Sequence, residues 1–206
     1  MIKKEMTTIL GSGLSGMGAV KLAIKKNISV YLSDHSVISD DVKEFLLKNN
    51  IKFEENGHNW DKISSSKEIV ISPGISSNKI IEKIPLFDKK NIISEIEFAS
   101  RYTNSFLIAV TGSNGKTTTS YLIYHILKSS GFNVGIAGNM GKSFSESISD
   151  SQFEYYVLEV SSFQLDDIVK FKPDISIITN ISEDHLDRYN YSFSNYISSK
   201  FRITKN

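Results

Sequence analysis

The sequence predicts an α/β protein in which two parallel sheets follow one another along the chain. Short runs rich in Ile and Val recur, and each is separated from the next by a segment compatible with a helix. The runs are continuously apolar rather than alternating, which is typical of strands buried on both faces. Two glycine-rich turns, each directly after such a run, indicate that the pattern starts twice.

The apolar runs fall into two groups, one on each side of a polar segment. The expected strands are residues 7–10, 28–32, 68–71 and 91–94 in the first group, and residues 106–110, 133–137, 155–160 and 175–179 in the second. Between the groups, residues 95–105 predict a helix and a connector. The predicted domains are therefore 1–95, with a Rossmann-like sheet, and 96–206.

Two further segments carry expectations of their own. Residues 147–152 contain three Ser and an Asp and predict a loop. Residues 190–206 predict a helix that runs to the end of the sequence, with nothing after it to cover the last strands.

Composition and charge exclude several classes of protein. The 206 residues are 40% apolar, which suits one large or two small domains. Lys and Arg total 24 against 23 acidic residues, so nucleic acid is not an expected partner. The absence of Cys excludes disulfides and thiolate catalysis. No apolar run reaches the length of a membrane span, and the first one breaks at glycines before a signal peptide could develop. A cytoplasmic protein without membrane insertion is expected.

The first glycine turn is GSGLSGMG, at residues 11–18. Gly11, Gly13 and Gly16, with Asp34 after the next strand, match a dinucleotide fingerprint in which backbone amides approach a diphosphate and the acid binds a ribose hydroxyl. Taken alone, this pattern indicates an NAD-binding protein.

The second glycine turn, TGSNGKTTT at residues 111–119, resembles a phosphate loop. Gly112 and Gly115 lie between a predicted strand and a predicted helix that Lys116 and Thr117 open, which suits a phosphate and its magnesium ion. The match is partial, because Val110 occupies the position of the first glycine of the full motif. The alternative is an ordinary strand-to-helix turn with a solvated lysine.

Acidic and imidazole side chains follow the later strands. Glu159 ends the apolar run at 155–160, at the edge where open α/β sheets bind ligands. Asp184, His185 and Asp187 lie together after the last predicted strand. Each alone could be a surface or capping residue, but beside a phosphate loop they are candidates for a magnesium site.

Five motifs together resemble the Mur ligase family: VTGSNGKTTT, GNMG, LEVSSFQL, NISEDHLDRY and SSKFRI. The resemblance spans the chain and implies a Rossmann-like N-terminal domain followed by part of an ATP-binding domain of the P-loop type. It implies that the first glycine turn holds a UDP-sugar rather than NAD. The implied activity is an ATP- and Mg²⁺-dependent ligation that adds D-glutamate to UDP-N-acetylmuramoyl-L-alanine through an acyl phosphate, in peptidoglycan precursor synthesis.

The resemblance also implies site residues. ATP phosphates would contact Gly112, Ser113, Asn114, Gly115, Lys116, Thr117 and Thr118. Magnesium would be held by Thr117, Glu159, His185 and Lys200, and Lys200 would need to be carbamylated, because an ammonium has no acceptor. The catalytic set would be Lys116, Asn139, Glu159, His185 and Lys200. The UDP-sugar would contact Gly13, Leu14, Ser15, Asp34, His35, Ser36, Ser72, Pro73, Gly74, Asn139, Ser161 and His185.

Complete members of the family have a third domain that binds the amino acid. The sequence ends soon after Lys200, so we expect it to lack that domain and the adenine-binding part of the second. Two hypotheses follow: the front portion of a ligase, inactive alone, or a non-catalytic module that binds the UDP-sugar precursor. A third, an NAD-binding protein, leaves the second glycine turn unexplained.

Overall fold

The computed structural model describes residues 5–205 and contains two parallel sheets. The first sheet has the order β3-β2-β1-β4-β5, with β1 (Met6–Leu10), β2 (Ser29–Ser33), β3 (Lys52–Glu54), β4 (Glu68–Ile71) and β5 (Ile92–Ser94). The second has the order β7-β8-β6-β9, with β6 (Phe106–Thr111), β7 (Val134–Gly138), β8 (Tyr155–Glu159) and β9 (Ile175–Ile178). All pairings are parallel, so the predicted fold class is confirmed.

Nine α-helices lie in the described part of the chain. They are α1 (Leu14–Lys25), α2 (Asp40–Lys48), α3 (Trp60–Ser64), α4 (Ser77–Lys83), α5 (Glu95–Ser100), α6 (Lys116–Ser129), α7 (Phe144–Asp150), α8 (Ser162–Asp166) and α9 (Phe193–Phe201). Within residues 5–205, no helix is both long and apolar enough to cross a membrane.

In each sheet, successive strands are added first on one side of the first strand, β1 or β6, and then on its other side. In the first sheet the chain leaves β1 for β2 and β3, then returns to β4 on the other side of β1. The loops after β1 and β4 therefore diverge and leave a crevice at the carboxyl ends of these strands, which is where open α/β sheets bind ligands. In the second sheet the chain passes from β6 to the outer strand β7, returns to β8 beside β6, and then crosses to β9 on the other side of β6.

One hydrophobic core connects the two sheets. It contains Ile9 and Leu32 from the first sheet and Leu158 from the second, all fully buried. Between the sheets, α1 packs against α7, and a Cβ at Gly18 of α1 would overlap the Ser143 hydroxyl. The two sheets thus pack through a shared apolar interior. The proposed boundary between domains 1–95 and 96–206 remains a prediction, and residues 1–4 and 206 lie outside the described residues.

Polar contacts also hold α5, at the predicted boundary between the two halves, against the second half of the chain. The buried Glu97 carboxylate on α5 accepts backbone N–H donors from Val169, Lys170 and Phe171, at 2.7–3.0 Å. Its other oxygen accepts from Arg101. A buried charge is stable when it is fully hydrogen-bonded in this way. These bonds fix α5 against the loop that follows α8.

Three sequence-based expectations differ from the structure. Residues 147–152 were expected to be a loop, but α7 extends through most of them, because Phe144 and Ile148 lie one helical turn apart and are both buried. The short strand β3 was not predicted, since KFE is only three residues long and largely polar. The last α-helix ends at Phe201 and is followed by a 3₁₀ turn at Arg202–Thr204, so it does not run to the end of the sequence.

Candidate functional site

The strand register brings the predicted phosphate and metal residues to one edge of the second sheet. Glu159 pairs with Val110 on one side and with Gly138 on the other, while Thr111 pairs with Ile178. All four strands therefore end at the same level. The glycine turn after β6, Asn139 after β7 and Glu159 at the end of β8 become neighbours although they are far apart in sequence.

The turn after β6 has the backbone of an anion-binding loop. Gly112 has a φ of +149°, and a Cβ there would overlap the Thr179 hydroxyl, so only glycine fits. Gly115 is the N-cap of α6 and has a left-handed conformation. The free N–H groups of the first turn of α6 and its positive dipole end lie at this loop.

Two lysine ammonium groups meet at this loop. Lys116 Nζ donates to Gly112 O and Ser113 O, both at 2.9 Å, and Lys200 Nζ donates to Gly112 O at 2.8 Å. Two cations thus share one carbonyl, an arrangement that attracts an anion. Among the described residues, neither lysine has a carboxylate within ion-pair distance.

Lys200 is unusual because its side chain is almost fully buried, with 2% of the residue exposed. Besides Gly112 O, its ammonium contacts the Tyr196 ring, 4.6 Å from the centroid. Burial and the nearby charge of Lys116 lower the pKa of Lys200 to about 8, and Asp184 opposes this shift. About a tenth of the amine is therefore neutral at pH 7, which lies about one unit below this pKa.

The residues beside the loop fit a magnesium ion in part. Thr117 Oγ1 donates to Glu159 Oε2 at 2.7 Å, and Asn139 Nδ2 donates to Glu159 Oε1 at 2.9 Å. The Glu159 carboxylate is buried, and a hydroxyl and a carboxylate are the oxygen donors that Mg²⁺ prefers. His185 and Lys200 make no hydrogen bond or ion pair to Glu159 in the part of the chain that the structure describes.

The remaining predicted residues of this half make no hydrogen bond to Glu159 within residues 5–205 and contact other groups instead. His185 is exposed, has a left-handed backbone, and lies 3.5 Å from Asp184 and 5.1 Å from the Phe163 ring. Ser161 caps α8 in a capping box with Gln164. Ser113 bonds Ser182, and Asn114 bonds Asn180, so the loop is tied to the segment after β9. Thr118 is exposed on α6.

In the first sheet, the turn after β1 closes around Asp34. Asp34 Oδ2 accepts from the Ser12 backbone at 2.6 Å and the Ser12 hydroxyl at 2.7 Å, and Oδ1 accepts from the Ser36 backbone at 2.8 Å. Burial opposes ionisation of Asp34, but the bonds from Ser12 and Ser36 outweigh it and lower the pKa of its carboxyl. Asp34 is therefore a carboxylate that fixes the glycine turn.

The other predicted residues of the first sheet lie around this turn. Gly13 and Leu14 are exposed at the start of α1, and His35 and Ser36 are exposed after β2. Close approach of α1 to β1 is possible because a Cβ at Gly16 would overlap Gly11 O. Ser15 is half-buried one residue into the helix. The N-terminus of α1 thus opens towards solvent beside β2.

Ser72, Pro73 and Gly74 form the loop on the other side of the crevice. Ser72 Oγ donates to Leu10 O at 3.0 Å, which ties the loop to the end of β1. Gly74 lines a cleft of about 970 Å³ that also has His35, His58 and Trp60 along its walls. Arg188 and Asp187 of the second half border the same cleft. The structure therefore brings His35 and Gly74, two of the predicted UDP-sugar residues, to one cleft.

Sequence reasoning missed three residues with well-defined contacts. Asn180 holds Asn114 from both sides, with its amide accepting at 3.1 Å and donating at 2.9 Å. Tyr196 bonds Ser113 at 3.0 Å and lies under the Lys200 ammonium. Arg188 reaches the loop at Gly74. Asn180 could have been found because it directly follows a predicted strand, whereas Tyr196 and Arg188 carry no such signal.

Each half of the chain matches a known family model. The model of the Mur ligase middle domain matches residues 110–206, and the model of the MurD N-terminal domain matches residues 6–81. With its parallel sheets and its phosphate-loop geometry, the chain belongs to the Mur ligase family.

Curated relatives identify the branch of the family that the chain resembles. It is 49% identical over 198 residues to the UDP-N-acetylmuramoylalanine–D-glutamate ligase of Bacteroides fragilis, covering 96% of this chain and 45% of the relative. The enzymes of the same name from Bacteroides thetaiotaomicron and Porphyromonas gingivalis are 47% and 44% identical, with the same coverage of this chain and 45% and 44% of the relatives. The chain thus spans less than half the length of these curated relatives.

Solved structures show the same fold at lower identity. The Thermotoga maritima UDP-N-acetylmuramate-alanine ligase MurC has a TM-score of 0.56 and 23% identity, over 98% of this chain and 47% of that one. The UDP-N-acetylmuramate:L-alanyl-gamma-D-glutamyl-meso-diaminopimelate ligase (MPL) from Neisseria meningitides has a TM-score of 0.60 and 17% identity, over 97% of this chain and 68% of that one.

Proposed function

We propose that this chain carries the UDP-sugar and ATP-phosphate sites of an ATP-dependent ligase that adds D-glutamate to UDP-N-acetylmuramoyl-L-alanine. The observation that carries the proposal is the position of Lys116 at Gly112 O, in a glycine loop at a helix N-terminus beside Glu159 and Thr117. Such a site suits the β- and γ-phosphates of ATP. The names of the curated relatives support the choice of substrates.

The reaction has two steps, each with a clear balance of bonds. A carboxylate oxygen of the UDP-sugar attacks the γ-phosphorus, ADP leaves, and an acyl phosphate forms. The amine nitrogen of D-glutamate then attacks the acyl carbon, phosphate leaves, and the nitrogen loses a proton. Both steps depend on positioning and charge neutralisation rather than on a protein nucleophile.

The residues of this chain have distinct proposed roles in these steps. Lys116 and the amides of residues 112–118 hold the transferring phosphates in line with the attacking carboxylate. Asn139, next to Glu159, donates a hydrogen bond to the substrate's carboxylate. Ser161, after β8, and His185, after β9, also contact the substrate. Thr117, Glu159, His185 and Lys200 would hold Mg²⁺, which neutralises phosphate charge when bound.

Lys200 needs a modification to serve as a metal ligand. The family resemblance implies a carbamate, formed when the neutral amine adds to carbon dioxide and loses a proton. Its lowered pKa supports this, because only the neutral amine is a nucleophile.

The UDP end of the substrate would occupy the cleft between the two loops of the first sheet. The N-terminus of α1 and the turn around Gly13 suit its diphosphate, and Asp34, His35 and Ser36 lie at the same edge. The match of residues 6–81 to the MurD N-terminal domain supports a UDP-sugar over NAD. D-Glutamate would be bound by the third domain that the resemblance implies, and we propose a cytoplasmic location for the ligase.

Binding of Mg²⁺-ATP to the purified chain tests the phosphate site. Lys116→Ala should weaken binding about 10- to 100-fold, because a charge-assisted hydrogen bond contributes roughly 1.5–3 kcal/mol. Lys128→Ala is the matched control, since Lys128 lies on the same helix and, within residues 5–205, donates only to Tyr124. Equal affinity of the wild-type and Lys116→Ala chains would contradict the phosphate site and favour a module that binds the UDP-sugar alone.

A further inference from the structure

Arg188 lies between the two proposed sites and is used by neither. It belongs to the 3₁₀ turn Leu186–Tyr189 that follows His185, and its backbone N–H donates to His185 O at 3.1 Å. Its side chain leaves this turn and reaches the first half of the chain. The side chain is only 17% exposed.

The guanidinium group makes a two-point contact with the loop after β4. One terminal nitrogen donates to Gly74 O at 3.2 Å and the other to Ile75 O at 3.0 Å. These carbonyls belong to the loop that borders the 970 Å³ cleft. The planar fork of Arg matches two neighbouring carbonyls, whereas a Lys ammonium could bond them only as a point charge.

The opposite side of the guanidinium is supported by the second half of the chain. It lies over the Phe163 ring at 4.4 Å, and Nε is 3.9 Å from Asp166 Oδ2. Asp166 in turn accepts from Ser199 at 2.6 Å and from Tyr189 at 3.1 Å. Ser199 directly precedes Lys200 on α9, so hydrogen bonds and one ion pair connect the segment that carries Lys200 to the loop of the cleft.

We propose that Arg188 is a positioning residue that holds the loop at residues 72–75 against the segment carrying His185. This contact sets the distance between the UDP-sugar cleft and the phosphate site, so that a substrate bound in the first half presents its carboxylate to the second. The inference rests on the proposed function, because it assumes that a UDP-sugar occupies the cleft.

The test compares Arg188→Ala with wild type by calorimetric titration of UDP-N-acetylmuramoyl-L-alanine. Loss of the two-point contact frees the loop, and we expect about tenfold weaker binding because the cleft is no longer pre-organised. Affinity for Mg²⁺-ATP should stay within about twofold, since the phosphate loop keeps all its contacts. A general loss of structure would weaken both.

Arg202→Ala is the matched control for the loss of a guanidinium. Arg202 also donates to two backbone carbonyls, Leu165 O and Ile168 O, both at 2.6 Å, but both lie in its own half of the chain. We expect this variant to be destabilised at least as much as Arg188→Ala while retaining its affinity for the UDP-sugar. If Arg188→Ala does not fold, Arg188→Lys serves instead, and a Lys variant with wild-type affinity would overturn the proposal.

Amide exchange separates failure of the inference from failure of the proposed function. The Ile75 amide donates to Ser72 O at 2.9 Å and reports on the closed loop. If the wild-type chain binds no UDP-sugar, the proposed function is overturned. Faster exchange at Ile75 in Arg188→Ala would in that case still show that Arg188 holds the loop. Unchanged exchange with unchanged UDP-sugar affinity would overturn the role of Arg188.

Discussion

The buried Glu159 is the residue on which the proposed metal site depends. Replacing it with Gln keeps its volume and an oxygen that can accept a hydrogen bond, but removes the charge that would attract Mg²⁺. We expect magnesium to raise the ATP affinity of the wild-type chain about tenfold or more, and Glu159→Gln to abolish most of this gain. Titrations with Mg²⁺ and with EDTA measure this gain directly.

The EDTA titration supplies the control for Glu159→Gln. Without magnesium, the variant should bind ATP no more weakly than wild type, since removal of a carboxylate near the phosphates also removes repulsion. A variant with the full magnesium dependence of wild type would show that Glu159 is not a metal ligand.

Individual site residues could be predicted where sequence position alone fixes their place. Lys116 and Thr117 open the helix after β6, and Glu159 ends β8, so parallel pairing brings these residues together. Asn139 could be expected only from the family resemblance. The position of Arg188 could not be predicted in this way. Its partners are backbone carbonyls in the other half of the chain, and they carry no side-chain signal.

At the scale of elements, the packing of α1 on α7 depends on a glycine. A Cβ at Gly18 would overlap the Ser143 hydroxyl and crowd the Glu146 amide, which that hydroxyl caps. We expect Gly18→Ala to lower the free energy of unfolding by about 1–3 kcal/mol, as overpacking does. Urea denaturation measures the change.

Gly74→Ala is the matched substitution for this comparison. A Cβ at Gly74 would meet no atom within 4 Å, so its stability should change little. Equal stabilities of Gly18→Ala and wild type would show that the two helices separate or shift easily.

Most of the regular elements could be predicted, and the exceptions have a common cause. All eight predicted strands are largely apolar, so local composition indicates them, and all except β9 are mostly buried. In contrast, α7 contains four Ser or Asp residues in seven, which favour a loop locally. Its burial of Phe144 against Tyr156 and its packing on α1 override this preference. Tertiary contacts of this kind cannot be predicted from a single sequence, because they join residues that are far apart along the chain.

The stability of the whole molecule should depend on pH through Glu95. This carboxyl is fully buried between α5 and α7, and burial raises its pKa to about 7, against the opposing effect of hydrogen bonds from Ser145 and Phe144. The folded state therefore binds more protons than the unfolded state between about pH 4.5 and 7. Stability falls as pH rises through this window and then levels off.

Urea denaturation at pH 5 and pH 8 checks this dependence. Wild type should lose on the order of 2 kcal/mol more than Glu95→Gln between the two values, because Gln has no proton to release. Parallel stability curves for the two proteins would mean that Glu95 titrates normally.

The central claim for the whole molecule is that the first glycine turn serves a UDP-sugar and not NAD. Calorimetric titration of the chain with UDP-N-acetylmuramoyl-L-alanine, and in parallel with NAD, tests it most directly. We predict saturable binding of the UDP-sugar at one site per chain and no heat of binding from NAD. Saturable binding of NAD alone, or of neither ligand, would contradict the claim.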